Sequence, residues 1–407
     1  MKLPLTDFAD TAHFHKLVRA LGADDGLVRV VGGAVRDTML GAAVEDVDLA
    51  TPLLPDEVTR RAEAIGAKVV PTGIAHGTVT IVYRDHVYEV TTLRRDVSTD
   101  GRRATVAFSD DWQEDAGRRD FTINALYADP LTGEIFDYFG GLDDLQTRTV
   151  RFIGDADQRI AEDYLRILRY FRFHARFGSG APNTEAFAAV AKDADRMMGL
   201  SRERIADELL KLLGLPDPVP TLALMDEGRI WRAVLPEADG TAVARVAHLV
   251  ANERAGTIAA DPVRRLIAFL PDDAEIAAQI AAKLKLSNAV RKRIAKVRGE
   301  GRAALALPPR TLAHKIGLEA AMDVWLILGD SVALKDALSV LKDWEVPRLP
   351  IGGGAIVARG IAKGPEVARL LQAVEQQWVD EGFPDLARVE AITDQMVAGI
   401  SEASRKT

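Results

Sequence analysis

The 407-residue chain contains no cysteine. Disulfides and thiolate metal sites are therefore excluded, and a reducing, cytoplasmic setting is expected. No apolar run is long enough to span a bilayer. The opening MKLPLTDFAD has acids early and lacks the apolar stretch of a signal peptide, so neither a membrane nor export is indicated. No internal repeat is visible. Positive charge is short overall: the net charge is −8, which, taken whole, argues against a general nucleic-acid binder. The deficit is uneven, because Arg148 to Arg176 holds seven arginines against four acids. A local basic surface of that kind can hold a triphosphate or RNA. With 48% apolar and 28% charged residues, the chain reads as globular and long enough for two or three domains.

What is present is organised around Val28 to Thr51, VRVVGGAVRDTMLGAAVEDVDLAT. Leu27 to Val31 suits a buried strand. Gly32-Gly33 breaks it and lets the backbone approach a ligand closely. Ala34 to Leu40 suits a two-turn helix stopped by Gly41. Glu45 to Ala50 alternates as a second strand, with Asp46 and Asp48 on one face. Carboxylates at i and i+2 on a strand lie roughly 6–7 Å apart at the backbone and can converge on a pair of divalent cations. The Gly-Gly turn opens a helix N-terminus, which favours phosphate. A D-x-D or a Gly-Gly alone is common; the two in this order are far more specific.

The rest follows in chain order. Residues 1 to about 26 read as helical, with Phe8, Ala12, His15 and Val18 near helical spacing and His13 and His15 at the surface. Pro55 to Ile65 reads as a helix with acids in its first turn. Thr72 to Thr80 is a Gly-punctuated turn into a strand, Thr78 to Tyr83, which turns at Arg84-Asp85 into Val87 to Leu93. Glu89 on that strand, a carboxylate flanked by Tyr88 and Val90, reads on its own as an edge-strand charge. Ser98 to Arg103 reads as a mobile loop. In Arg118 to Leu126, RRDFTINAL, arginine can grip phosphate, Asp120 can accept from a ribose hydroxyl, and Asn124 can donate and accept. Ala161 to Phe177 reads as one helix with a stripe of Arg166, Arg169, Arg172 and Arg176. Leu200 to Leu213 is a helix capped by Ser201, with Arg204, Glu208 and Lys211 structural. From Pro216 onward the chain is helical, with Arg264, Arg265, Lys283, Lys285, Arg291, Lys292, Arg293 and Lys296 as candidate RNA-backbone contacts. Gly352 to Gly354 reads as a loop and Gly364-Pro365 as a helix start.

GGAVRD followed by DVD, then EVTTLR, RRDFTINAL, FGGLDDL and EDYLR, resembles the class II tRNA nucleotidyltransferases (CCA-adding enzymes) and bacterial poly(A) polymerases. The likeness is close over about residues 20 to 215. It implies an α+β fold: a polymerase-β-like head with a small mixed or antiparallel sheet, followed by all-helical neck, body and tail. The expected spans are 1–145 for the head, 146–215 for a base-recognising neck, and 216–407 for an RNA-binding body and tail. The absence of a His-Asp dipeptide argues against the phosphohydrolase domain that some relatives carry.

The resemblance implies catalysis by Asp46, Asp48 and Glu89, with Asp46 and Asp48 on Mg²⁺. It implies nucleotide binding by Gly32, Gly33, Arg36, Arg119, Asp120, Asn124, Asp163, Arg166, Arg169 and Arg172. Asp163 accepts and Arg166 donates, which suits cytosine and adenine and leaves uracil and guanine with clashing groups. The expected reaction is template-independent addition of CCA to a tRNA 3′ end from CTP and ATP, with no obligate protein partner. Poly(A) synthesis or partial addition of CC or A are alternatives on the same scaffold. A non-catalytic RNA-binding protein is the alternative of another class.

Overall fold

The computed structural model describes residues 2–4, 12–44, 46–70, 73, 77–100 and 103–405. Contacts divide the chain into two compact units, Met1–Pro236 and Glu237–Thr407.

The first unit is built on a seven-stranded mixed sheet. Its strands are β1 (Arg29–Val31), β2 (Val47–Thr51), β3 (Lys68–Val70), β4 (Thr78–Tyr83), β5 (His86–Thr92), β8 (Leu126–Ala128) and β9 (Ile135–Asp137), in the order β3-β4-β5-β2-β1-β8-β9. All neighbours run antiparallel except β2 and β5, which are parallel. Helices α1 (Ala12–Ala20), α2 (Gly33–Met39) and α3 (Pro55–Ala64) belong to the same head. The β1 strand forms because Val28, Val30 and Val31 bury almost completely. Gly32 then adopts φ +67°, ψ −116°, a conformation that strains any side chain, and the chain turns into α2.

Several expectations are corrected here. Phe8 lies outside the described residues, and α1 buries Phe14, Leu17 and Val18 instead of the spacing read from Ala12 and His15. His13 is half-buried and stacks on His86 at 4.7 Å, since α1 packs its N-terminal turn on the sheet rather than projecting it. Glu45 and most of the 71–76 turn are not described. The β5 strand is internal, so Glu89 is no edge charge. Ser98 to Asp100 and Arg103 belong to a hairpin, β6 (Arg94–Asp100) and β7 (Arg103–Phe108), with a register shift between Asp96 and Ser98. Backbone pairing outweighs the polar composition that reads as a loop; Gly101 and Arg102 themselves are not described.

The helix expected over 161–177 is two helices, α6 (Ala156–Glu162) and α7 (Arg166–Phe177). Asp163 sits between them at φ −155°, ψ 102°, and its side chain accepts the Leu165 N–H. Asp competes for local backbone donors in this way and ends helices. Before α6 come α4 (Trp112–Gly117) and α5 (Gly141–Gln146). After α7 come α8 (Thr184–Lys192), α9 (Arg202–Leu213), α10 (Val219–Glu227) and α11 (Ile230–Val234). Ser201 caps α9 as expected.

The second unit is helical throughout its described residues. Pro365 opens a helix, as expected, and Gly353 starts a short one where a loop was read. Four arginines there form buried ion pairs. Arg264, Arg265 and Arg293 bind Glu253, Asp323 and Asp261, and Arg298 binds Asp272. Lys283 binds Glu237, and Lys296 donates to the Ile316 carbonyl. Arg264, Arg265 and Arg293 are thus structural, whereas Lys283, Lys285, Arg291, Lys292 and Lys296 of the expected RNA contacts are exposed.

The hairpin is tied to the sheet by Asp115 on α4, 1% exposed. Its Oδ1 accepts the Arg94 N–H and the Arg118 guanidinium; its Oδ2 accepts Tyr127 Oη at 2.6 Å and Arg119 Nη2 at 3.3 Å. Burial pushes this carboxyl up, but Arg119, Arg118 and Tyr127 outweigh it and hold it at about 2. An unfolded aspartate titrates near ~3.9. The depressed value therefore stabilises the fold above pH ~4 and is lost as pH falls towards about 2. Denaturant titrations between pH 5 and pH 2 are expected to show a loss of the order of 2 kcal/mol that Asp115→Asn no longer shows. An equal acid loss in both proteins would contradict this assignment.

Candidate active site

The parallel pairing of β2 and β5 sets Asp48 opposite Glu89 in register. Neighbouring strands lie ~4.8 Å apart, so two carboxylates face each other across one face of the sheet. Asp48 is half-buried, and Asp46 and Glu89 are exposed. The Asp48 carboxyl is pushed up, first by burial, then by Glu89 and to a lesser degree Asp46, while Arg119 pulls it down. This crowding of oxygen-only anions is what a hard divalent cation relieves, so the donor set fits such an ion. Among the described residues, no three His, Cys, Asp or Glu side chains are grouped closely enough to hold a metal by themselves. Substrate oxygens and water would complete the shell.

Beside Asp48 opens a cleft of about 370 Å³. It gathers Gly32, Gly33, Arg36, Asp48, Arg119, Asp120, Asn124, Asp163, Arg166 and Arg169 from the expected set, and adds Arg118 and Phe173. Asp46, Glu89 and Arg172 do not line it. Arg172 instead binds the buried Glu208 at 2.6 Å. A second hollow, about 490 Å³, lies at the hairpin base beside Leu54, Arg95 and Phe108, and holds none of the expected residues.

The cleft wall is a chain of buried polar contacts. Asp120 Oδ1 accepts the Phe121 N–H and Asn124 Nδ2, both at 2.9 Å. Its Oδ2 accepts the Arg169 fork, with Nε at 2.8 Å. Burial raises the Asp120 carboxyl, and Arg169 and Asn124 more than reverse this. Asn124 Oδ1 accepts from Arg36, Arg36 Nε donates to Asp37, and Asp37 accepts from Arg176 on α7. Arg36 stacks over Phe177 at 4.0 Å and is lowered by burial. It is thus engaged in joining α2 to α7. Asp120 has four donors on its roughly four lone-pair directions, so no acceptor is left for a ribose hydroxyl.

The arginines differ in what they leave open. Arg119 donates through Nε to Tyr127 and through Nη2 to Asp115, and its Nη1 lies 3.4 Å from where a side chain on Gly32 would begin. Glycine at 32 therefore keeps that donor open to the cleft. Arg166 donates to the Arg159 and Arg118 carbonyls and to Glu162, which uses three of its five N–H groups. Asp163 is bound by Arg204 of α9 at 2.6 Å. Arg204 and Glu208, read as merely structural, each hold a residue of the cleft: Glu208 also lies 3.7 Å from Arg169.

Sequence reasoning named Arg118 only within its motif and missed Phe173, Asp115, Tyr127 and the role of Arg204. Asp115 sits three and four residues before Arg118 and Arg119, a helical pairing that was open to inspection. Nothing local marks Tyr127 or Arg204, which arrive from distant elements. Removing one partner of a buried pair costs about 3–5 kcal/mol. Asp120→Asn and Arg169→Met are each expected to destabilise on that scale, and the double variant by clearly less than their sum. Strict additivity in denaturant melts would sink the hub.

Comparisons with known proteins bear on the family and the fold. Residues 28–151 match the Poly A polymerase head domain, and residues 182–240 match a probable RNA- and SrmB-binding site of polymerase A. A zebrafish protein named CCA tRNA nucleotidyltransferase 1, mitochondrial, is 33% identical over 387 residues, covering 92% of this chain and 87% of its own. The CCA-adding enzyme of Geobacillus stearothermophilus is 41% identical over 200 residues, 48% of each chain. The crystal structure of the Bacillus stearothermophilus CCA-adding enzyme in complex with CTP superposes with a TM-score of 0.74 at 27% identity, covering 97% of this chain and 99% of that one. With the head motifs, the mixed sheet and a near full-length relative in agreement, the chain belongs to the family of CCA-adding tRNA nucleotidyltransferases and bacterial poly(A) polymerases.

Proposed function

We propose that this nucleotidyltransferase adds CCA to the 3′ end of tRNA without a template, using CTP and ATP and releasing pyrophosphate. The observation that carries the reading is the single cleft in which Gly32, Asp48, Arg119, Asp163 and Arg166 converge. The family's reaction uses divalent metal ions; we assign Mg²⁺ here, held by Asp46 and Asp48 with Glu89 opposite. The ion, when bound, neutralises charge at the α-phosphate and activates the attacking 3′-hydroxyl.

The chain's own residues position the reactants. The bare backbone at Gly32 and the open Nη1 of Arg119 receive the triphosphate, and Arg169, fixed by Asp120, lends a second cation. Asn124, with one N–H and one lone pair unused by its two side-chain hydrogen bonds, takes the sugar contact that the motif gives to Asp120. Asp163 and Arg166 face the base. Such a site works by orientation and charge stabilisation more than by covalent chemistry. Exposed Arg291 and Lys292 are proposed contacts to the tRNA backbone.

No described helix is long and apolar enough to cross a membrane. The vertebrate relatives are mitochondrial by name. We infer a cytoplasmic setting from the missing cysteine.

Purified protein with Mg²⁺ and tRNA lacking its 3′ end is expected to stop at CCA when given CTP and ATP. Long A tracts would make it a poly(A) polymerase, and CC or A alone a partial enzyme. Asp48→Ala is expected to remove addition by at least about 10²–10³-fold while leaving the melting profile close to wild type. Near-normal turnover in that variant would end the metal assignment.

A further inference from the structure

The two base-facing residues are supported unequally. Arg166 is locked within its own surroundings by Glu162 and two backbone carbonyls, at 2.6, 2.7 and 3.2 Å. Asp163 stands in the break between α6 and α7, outside either helix ladder. The terminal torsion of an aspartate is broad, so its carboxylate plane is set by partners and not by rotamer preference. Here there are two partners. Oδ1 accepts the Leu165 N–H at 3.2 Å, and Oδ2 accepts Arg204 Nη2 at 2.6 Å. The shorter, charge-assisted contact dominates. It comes from α9, the helix that also carries Glu208 beneath Arg169 and Arg172. Arg204 itself does not line the cleft, and its side chain is 42% exposed.

We propose that Arg204 is a specificity-positioning residue: by gripping Asp163 Oδ2 from α9, it aims the carboxylate so that the cleft accepts the amino group of cytosine or adenine and rejects uracil and guanine. The inference rests on the base-reading role given above to Asp163. A carboxylate oxygen offers two lone pairs, so Arg204 can hold Oδ2 while the base amino group takes what remains. Without Arg204 one contact is left, the carboxylate swings, and the acceptor no longer lies beside the Arg166 donors. A flat guanidinium fixes direction where an ammonium supplies only charge.

The test compares incorporation of CTP, ATP, UTP and GTP into tRNA lacking its 3′ end by wild type, Arg204→Ala, Arg204→Lys and Asp163→Ala. Loss of one charge-assisted hydrogen bond corresponds to about tenfold or more. Arg204→Ala is expected to lower the preference for C and A over U and G by about that factor through KM, with kcat for CTP nearly unchanged. Arg204→Lys should recover part of the preference, and Arg204→Ala with Asp163→Ala should be no less selective than Asp163→Ala alone. Melting curves separate a fold effect, which would not change the ratio between nucleotides. Should Arg204→Ala fold poorly, Arg204→Gln gives the same readout. Relaxed selectivity in Asp163→Ala with wild-type selectivity in Arg204→Ala overturns the proposal and leaves base reading by Asp163 intact. Unchanged selectivity in Asp163→Ala overturns that reading and this proposal together.

Discussion

The Asp120–Arg169 fork is the contact on which the rest of the cleft depends. It joins the turn after α4 to α7, across 49 residues of sequence, at a site where Asp120 is only 8% exposed. A carboxylate there is tolerable only if its oxygens are filled, and four donors fill them. One consequence reaches α2, because Asn124, oriented by Asp120, receives Arg36 and through Asp37 reaches Arg176. Another reaches α9, because Arg169 also lies near Glu208. The Gly-Gly turn, the RRDFTINAL turn and the neck helix are thus parts of one buried network, and each would lose its orientation without the others.

Sheet register does for the acidic side what this network does for the basic side. Asp48 meets Glu89 because β2 and β5 are the one parallel pair in an otherwise antiparallel sheet. A slip of one residue would turn either carboxylate to the opposite face. The register is protected by the residues that follow on each strand, Leu49 and Ala50 on β2 and Val90 on β5, all almost fully buried. Core packing therefore sets the separation of two like charges that repel in the absence of a cation, and the Asp48 carboxyl is raised first by its burial and then by that repulsion.

Much of this was legible in the sequence because it is local. Thr78 to Tyr83 reads as the strand it forms, and Gly32 as a turn residue, from patterns confined to a few neighbours. Asp163 shows where local reading fails. Apolar and basic periodicity runs through Ala161 to Phe177 as though one helix continued, yet a single aspartate that binds the Leu165 N–H divides it, and that division aims the side chain at the cleft. The arginine stripe misleads for a related reason. Arg166, Arg169, Arg172 and Arg176 do recur at helical spacing, and Arg166 meets Glu162 four residues earlier, but the other three meet acids from elsewhere: Asp120, Glu208 and Asp37. Such partners come together only in the folded chain, so no window of sequence shows that the stripe is a set of braces and not an open basic face.

This bracing resolves the conflict between an acidic chain and an anionic substrate. Cleft arginines paired to buried carboxylates contribute little net field, and the overall charge of −8 offers no long-range attraction. What remains is directional. Arg119 keeps Nη1 open beside a glycine, and Arg166 keeps two N–H groups after three are bound. Because their carboxylate partners hold them rigid, these donors need no reordering when a nucleotide arrives, and fixed donors in a partly dry cleft stabilise charge more strongly than mobile ones at a surface. The same arrangement favours selectivity over affinity. A base that cannot match the open donors of Arg166 and the aimed acceptor of Asp163 leaves polar groups unpaired at about 1–3 kcal/mol each, and a general attraction for RNA could not discriminate in that way.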